Sequence, residues 1–251
     1  MPRTAPILLL STALLAAVAG AQAPAEPAHE GHHHDAAAGG AESPPAEEHA
    51  MRHQGPADHS FADAERWAER FESAERDAWQ MPDRVVEEMG LEPGDSVADI
   101  GSGTGYFARR FAARVGPAGT VYATDVEPGM AEYVRRRADE DGQRNLVPVL
   151  ASYDDPRLPA GAVDLVFICN TWHHIQNRVD YARRLAGDLA VGGRVAIVDF
   201  LPGELPVGPP PDHKLSAEEV TEELRQAGFR LAATHDFLPY QYVLVFAAPR
   251  R

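Results

Sequence analysis

The 251-residue sequence predicts an α/β fold: a doubly wound, seven-stranded sheet, mostly parallel, with an antiparallel strand pair at its C-terminal end. Three observations carry that expectation. Short apolar runs between Ser96 and Phe200 alternate with helical patterns, as in a parallel sheet covered on both faces. The first of these runs ends in a glycine-rich turn that opens a helix. The last two runs, Phe229 to His235 and Tyr242 to Phe246, are joined by a link around Pro239 too short for a crossover, so they pair antiparallel.

Each element has a local reason. Ser60 is placed to cap a first helix in which Ala64, Trp67, Ala68 and Phe71 recur at three and four residues, making one apolar face. Pro82 suits the first turn of a second helix carrying Val85, Val86 and Met89, with Gly90 just past its end. A Pro93-Gly94 turn leads into strand Ser96 to Ile100. Helix Thr104 to Val115, strand Thr120 to Thr124 and helix Pro128 to Ala138 come next. Strand Leu146 to Leu150, a polar loop, strand Val163 to Cys169 and helix Val179 to Leu189 follow. Gly192-Gly193 precedes strand Arg194 to Phe200, and helix Ser216 to Ala227 precedes the final pair. Trp67, Phe71, Trp79 and Gln80 form a helical cap or pack in the core.

The chain before residue 61 reads differently. Arg3, the apolar run Ile7 to Gly20 and the small residues Ala19-Gly20-Ala21 have the pattern of a secretory leader over residues 1–21. The run is too short to span a bilayer as a helix. The expectation is export to the periplasm, with no stable membrane insertion after cleavage; a start near Met51 would leave the chain cytoplasmic. Residues 22–60 are rich in Ala, Pro, Glu and Gly and predict a disordered linker. Seven of the 11 histidines lie there, enough for weak transition-metal binding by a His-rich tail, though without ordered ligand spacing. Residues 61–251 form the folded domain.

Charge and cysteine content narrow the function. With 38 acidic against 23 basic residues the formal charge is −15, which argues against a nucleic-acid partner. The lone cysteine, Cys169, excludes an internal disulfide and a multi-cysteine zinc site, and inside an apolar strand it reads as core.

The strongest motif is VADIGSGTGYF, Val97 to Phe107. Asp99 ends the strand, and Gly101, Gly103 and Gly105 let a ligand approach the backbone where a helix N-terminus offers unpaired N–H groups. The dinucleotide pattern needs glycine where this chain has Tyr106, and the phosphate-binding Gly-Lys-Ser/Thr is absent. What remains favours S-adenosylmethionine, which has no pyrophosphate to cradle. The next strand ends at Asp125, twenty residues after Gly105, where a carboxylate can accept from two ribose hydroxyls.

On these residues the chain from about 80 to 251 resembles the class I S-adenosylmethionine-dependent methyltransferases, small-molecule type, typified by the ubiquinone/menaquinone methyltransferases. The motifs are DIGSGTG at Asp99 to Gly105, TDVEPGM at Thr124 to Met130 and DDPRLP at Asp154 to Pro159. VDLVFICNTWHHI at Val163 to Ile175 and LAVGGRVAIVDF at Leu189 to Phe200 complete them; Val191 stands where the family usually has proline. The resemblance implies a Rossmann-like sheet, S-adenosylmethionine as cofactor and methyl transfer by direct displacement to a small-molecule acceptor. It places Gly101, Ser102, Gly103 and Gly105 at the amino-acid end of the cofactor with Asp99 nearby. Asp125 would hold the ribose, Asp154 the adenine amino group, and Asn170 would sit beside the methionine moiety.

His173 and His174 follow the fourth strand at the carboxyl edge of the sheet and are the candidate catalytic bases. His213 and Lys214, in the proline-rich stretch after the fifth strand, are acceptor-site candidates. His173, His174 and His213 could together bind a metal, but no metal-ligand set is assigned. The competing expectation is an exported metal-binding protein whose domain binds S-adenosylmethionine without catalysis.

Overall fold

The computed structural model describes residues 63–250. The leader, the His-rich stretch and Ser60 lie outside the described residues. A helical cap comes first: α1 (Ala64–Phe71), α2 (Ala74–Gln80) and α3 (Pro82–Glu88). The α1 cap is Asp63, whose carboxylate accepts the Arg66 N–H at 3.2 Å, a correction to the expected Ser60. A separate α2 was not anticipated; Ser73 caps it by accepting the Arg76 N–H, which ends the Trp67–Phe71 face and starts a new one.

The sheet strands are β1 (Ser96–Ile100), β2 (Thr120–Asp125), β3 (Leu146–Leu150), β4 (Val163–Cys169), β5 (Leu189–Phe200), β6 (Arg230–His235) and β7 (Gln241–Ala247). Helices α4 (Ala108–Val115), α5 (Pro128–Glu140), α6 (Arg178–Asp188) and α7 (Ala217–Gln226) connect them. The spatial order is β3-β2-β1-β4-β5-β7-β6, and the two antiparallel pairings are those β7 makes with β5 and β6. The expected antiparallel pair is therefore present, with β7 seated inside the sheet and β6 at its edge.

Strand alternation sorts the core onto two faces. Val97, Leu165, Phe167 and Val198 pack with Phe107, Phe111 and Val115 of the α4 side. Ala98, Ile100, Val166, Ile168 and Ile197 pack with Leu185 of α6 and Val220 and Leu224 of α7. The edge strands are less covered. β3 carries Pro148 where an edge strand tolerates a missing N–H donor, and β6 is largely exposed.

Two further boundaries move by more than two residues, for physical reasons. Helix α4 begins at Ala108 rather than Thr104, because Gly103 and Gly105 hold positive φ of 54° and 82° and the chain is still turning. In β5, Leu189 pairs with Val163 and Arg194 with Leu165, so the Gly192-Gly193 segment loops out within one strand and leaves Val191 94% exposed. The Ser216 capping box, with Glu219 reaching back to the Ser216 N–H, sets the start of α7. No helix among the described residues is long and apolar enough to cross a membrane.

Candidate functional site

The carboxyl ends of β1 and β2 form the first half of the site. Asp99 is 3% exposed, and burial raises its pKa to about 7; the Ala108 backbone N–H and the Arg76 guanidinium partly offset this, while Asp125 adds to it. The chain then turns at Gly101, with φ of 67°, where a Cβ would lie 2.4 Å from the Thr171 hydroxyl. Only glycine fits there. Asp125 is shared by the turn and its own loop: Gly103 N donates to Oδ2 at 2.8 Å and Glu127 N to Oδ1 at 3.0 Å. Burial pushes this carboxyl up too, and each oxygen keeps a lone pair for a hydroxyl donor. The buried hydroxyls of Ser102 and Thr104 have no hydrogen-bond partner among the described residues.

The helical cap covers this turn. The Phe71 ring lies 3.6 Å from where a Gly103 Cβ would be. The Arg76 guanidinium stacks 3.9 Å from the Tyr106 ring centroid and donates to the Phe71 carbonyl at 2.9 Å.

The ends of β4 and β5 supply the second half. Asn170 takes a left-handed conformation, φ 56°, with its N–H donated to the Val198 carbonyl at 2.9 Å. Its Oδ1 accepts from Gln241 Nε2, and Gln241 Oε1 accepts from Gln80 Nε2. A single 3-10 turn, Trp172–His174, follows. Buried Trp172 pins that turn by donating its indole N–H to Glu223 of α7 at 2.9 Å, and Arg178 holds the other Glu223 oxygen at 2.8 Å.

His173 Nδ1 meets both carboxylate oxygens of Asp199, at 3.0 and 2.9 Å, with both side chains nearly inaccessible. Asp199 also accepts the Phe200 N–H at 2.9 Å. The His174 ring lies 4.2 Å from that of His173; desolvation and the His173 ring lower its pKa to about 4. Trp79 of the cap stands 5.9 Å from Phe200 and 6.2 Å from Tyr240, ring to ring, and gives this end aromatic walls.

The structure thus gathers Asp99, Gly101, Ser102, Gly103, Gly105 and Asp125 at one turn, with Asn170, His173 and His174 on the adjoining strand end. Asp154 is exposed on the turn after β3, where its carboxylate accepts from the Ser152 hydroxyl at 3.1 Å. Cys169 is buried and its thiol pushed up by desolvation, as a core residue should be. His213 is exposed, and Lys214 Nζ donates to the Gly203 carbonyl at 2.6 Å, closing the base of the proline-rich loop. Among the described residues no three His, Cys, Asp or Glu side chains come together to hold a metal ion.

Sequence reasoning missed Asp199, Gln241 and Arg76. A signal existed for the first two: a carboxylate inside VAIVDF and an amide heading QYVLVF are polar groups in runs that must be buried, so each needs a partner.

The residues present fit S-adenosylmethionine. Unpartnered Ser102 and Thr104 hydroxyls line a turn too tight for any Cβ at Gly101, and Asp125 has acceptor capacity left for a ribose. Residues 97–193 match a family model described as a methyltransferase domain. The chain is 33% identical over 146 residues to the aklanonic acid methyltransferase DauC of Streptomyces sp. (strain C5), covering 57% of this chain and 66% of that protein. It is 32% identical over 117 residues to the ubiquinone/menaquinone biosynthesis C-methyltransferase UbiE of Ectopseudomonas mendocina (strain ymp), covering 46% of each. It therefore spans about half to two thirds of the length of these relatives. The crystal structure of a SAM dependent methyltransferase from Aquifex aeolicus superposes with a TM-score of 0.70 at 25% identity, covering 76% of this chain and 99% of that one. Turn chemistry, strand order and these likenesses converge on the class I S-adenosylmethionine-dependent methyltransferases of the small-molecule type, with S-adenosylmethionine as cofactor.

Proposed function

We propose that this chain transfers a methyl group from S-adenosylmethionine to a small-molecule acceptor whose nucleophilic atom carries a proton, and that His173 takes that proton. The observation that carries the reading is the His173–Asp199 pair. A buried carboxylate on Nδ1 fixes the tautomer with the proton on Nδ1, so Nε2 holds the free lone pair. The Trp172–Glu223 bond holds the turn that carries the imidazole. The cofactor supplies a methyl group made electrophilic by its sulfonium. Asp99, Ser102, Thr104, Asp125 and Asn170 would hold it, with Asp154 at the adenine end.

The protein's other contribution is alignment. Trp79, Phe200 and Tyr240 shape an apolar wall for the acceptor. His173 Nε2 would accept the proton that leaves the acceptor's nucleophilic atom, and would later release it to solvent. His174, kept neutral by its surroundings, is the second imidazole at this edge.

The test is methyl incorporation from labelled S-adenosylmethionine into a panel of phenols, carboxylic acids, amines and thiols. The names of the two relatives put quinone precursors and carboxylic acids first. His173→Ala should lower kcat about 10²- to 10⁴-fold on a protonated acceptor, with Asp199→Asn following it and cofactor affinity retained. Wild-type turnover by His173→Ala would overturn the assignment.

A further inference from the structure

We infer that Arg76, Gln80 and Gln241 form a polarised hydrogen-bond relay that fixes the Asn170 amide with its NH2 toward the cofactor, as donor to the methionine carboxylate. The roles in such a chain of amides are set from its ends. A guanidinium can only donate, and Arg76 Nε reaches Gln80 Oε1 at 3.4 Å. Gln80 must then present its NH2 onward, to Gln241 Oε1, and Gln241 its NH2 to Asn170 Oδ1. The middle members are 0% and 1% exposed, so no water is at hand to reverse one link without the others. Asn170 is left with its oxygen committed and its NH2 without a protein partner among the described residues.

What that NH2 meets follows from where it stands. Asn170 is the residue after β4 and Thr171 follows it, with the Thr171 side chain against Gly101. The relay therefore ends beside the glycine turn. A protein NH2 donor selects an oxygen, and the Arg76 guanidinium nearby selects an anion; the only anionic group of S-adenosylmethionine is its carboxylate. The cap helix α2 is thereby wired into cofactor recognition through two side chains that need not touch the cofactor. Gln80, Gln241 and Arg76 are positioning residues. The inference rests on reading the β4 end as the amino-acid end of the cofactor site, as the proposed function does.

The test is a double-mutant cycle on the full chain, read by calorimetry with two probes. S-adenosylhomocysteine keeps the carboxylate, and 5′-methylthioadenosine lacks the whole amino-acid end. In Gln80→Glu, a carboxylate beside Arg76 can only accept. It turns the Gln241 amide over, and that turns Asn170, so that Oδ1 faces the ligand carboxylate. S-adenosylhomocysteine should then bind about tenfold to a hundredfold more weakly, with methylthioadenosine unchanged. In an Asn170→Ala background Gln80→Glu should cost nothing further, whereas a through-space charge effect would persist there.

Equal losses for both probes, no loss for either, or the same loss in the Asn170→Ala background would each overturn the relay. Should Gln80→Glu fail to fold, Gln241→Glu replaces it in the cycle with the same expectations. The wild-type titration separates the two readings. Equal wild-type affinity for both probes would refute an amino-acid subsite altogether, while a wild-type preference for S-adenosylhomocysteine with an inert Gln80→Glu would refute the relay alone.

Discussion

Replacing Asp99 with asparagine removes a carboxyl group that the fold holds in its least favourable setting, and the effect should depend on pH in one direction. The folded pKa stands at about 7 against 3.8 for a free carboxyl, with burial as the main cause. The folded state therefore binds a proton more tightly than the unfolded chain. Between pH 3.8 and 7 the unfolded state has released that proton and the folded state has not, so wild-type stability falls as pH rises through this window. About three pKa units at 1.4 kcal/mol each put the accumulated loss on the order of 4 kcal/mol, complete just above pH 7. Asparagine has no proton to lose. Urea unfolding of both proteins from pH 4.5 to 8 should show the Asp99→Asn stability, relative to wild type, climbing toward neutrality and levelling off above it. The other raised carboxyls, Asp188 at about 6 and Asp125, are common to both proteins and largely cancel in the difference. A difference that stays flat over this range, or that shrinks as pH rises, would refute the reasoning.

The same carboxyl should couple cofactor binding to proton release: at pH 6.5, S-adenosylmethionine brings an ammonium and a sulfonium toward a mostly protonated Asp99. Calorimetry in phosphate and in Tris should differ by up to about one buffer-protonation enthalpy for wild type, and not for Asp99→Asn. Gly101→Ala should abolish measurable cofactor binding, because the new methyl would sit 2.4 Å from the Thr171 hydroxyl at a φ of 67°; double substitution with Thr171→Gly should restore part of it. Phe167→Ala empties the centre of the Phe107–Phe111–Phe167 cluster, whose rings lie 4.8 and 4.9 Å from Phe167, and should cost about 3–5 kcal/mol in denaturant unfolding.

Much of this molecule was legible before its fold was known. Strands at Ser96 and Val163 fall where their apolar runs do, because a short apolar run bounded by turn residues suits a buried parallel strand, and the run at Leu146 marks β3 although its edge position leaves Val147 and Leu150 exposed. The glycine turn and Asp125 were legible because both requirements are local in sequence: a tight backbone, then a carboxylate at the next strand end. Partnerships were not. His173 was visible as a candidate, yet Asp199 lies 26 residues on, across a strand pairing that periodicity cannot specify. Gln80 and Gln241 are 161 residues apart and meet because the cap folds back over the start of β7. The Ser73 break between α1 and α2 was hidden for another reason: a serine inside a helical pattern caps or continues with nearly equal ease, and tertiary packing decides.

The place of β7 has a consequence for how the domain comes into being. It is the last of the seven sheet strands in chain order, yet it lies between β5 and β6 and carries Gln241 at its first residue. During synthesis β1 to β5 can emerge and pair, whereas β6, whose neighbour in the sheet is β7, waits for it, and β5 still presents an open hydrogen-bonding edge. Only the final stretch of chain can close it. A nascent or clipped domain without β7 is therefore a sticky intermediate with an unfinished ligand wall, so that a closed sheet and competence to bind arrive together with β7.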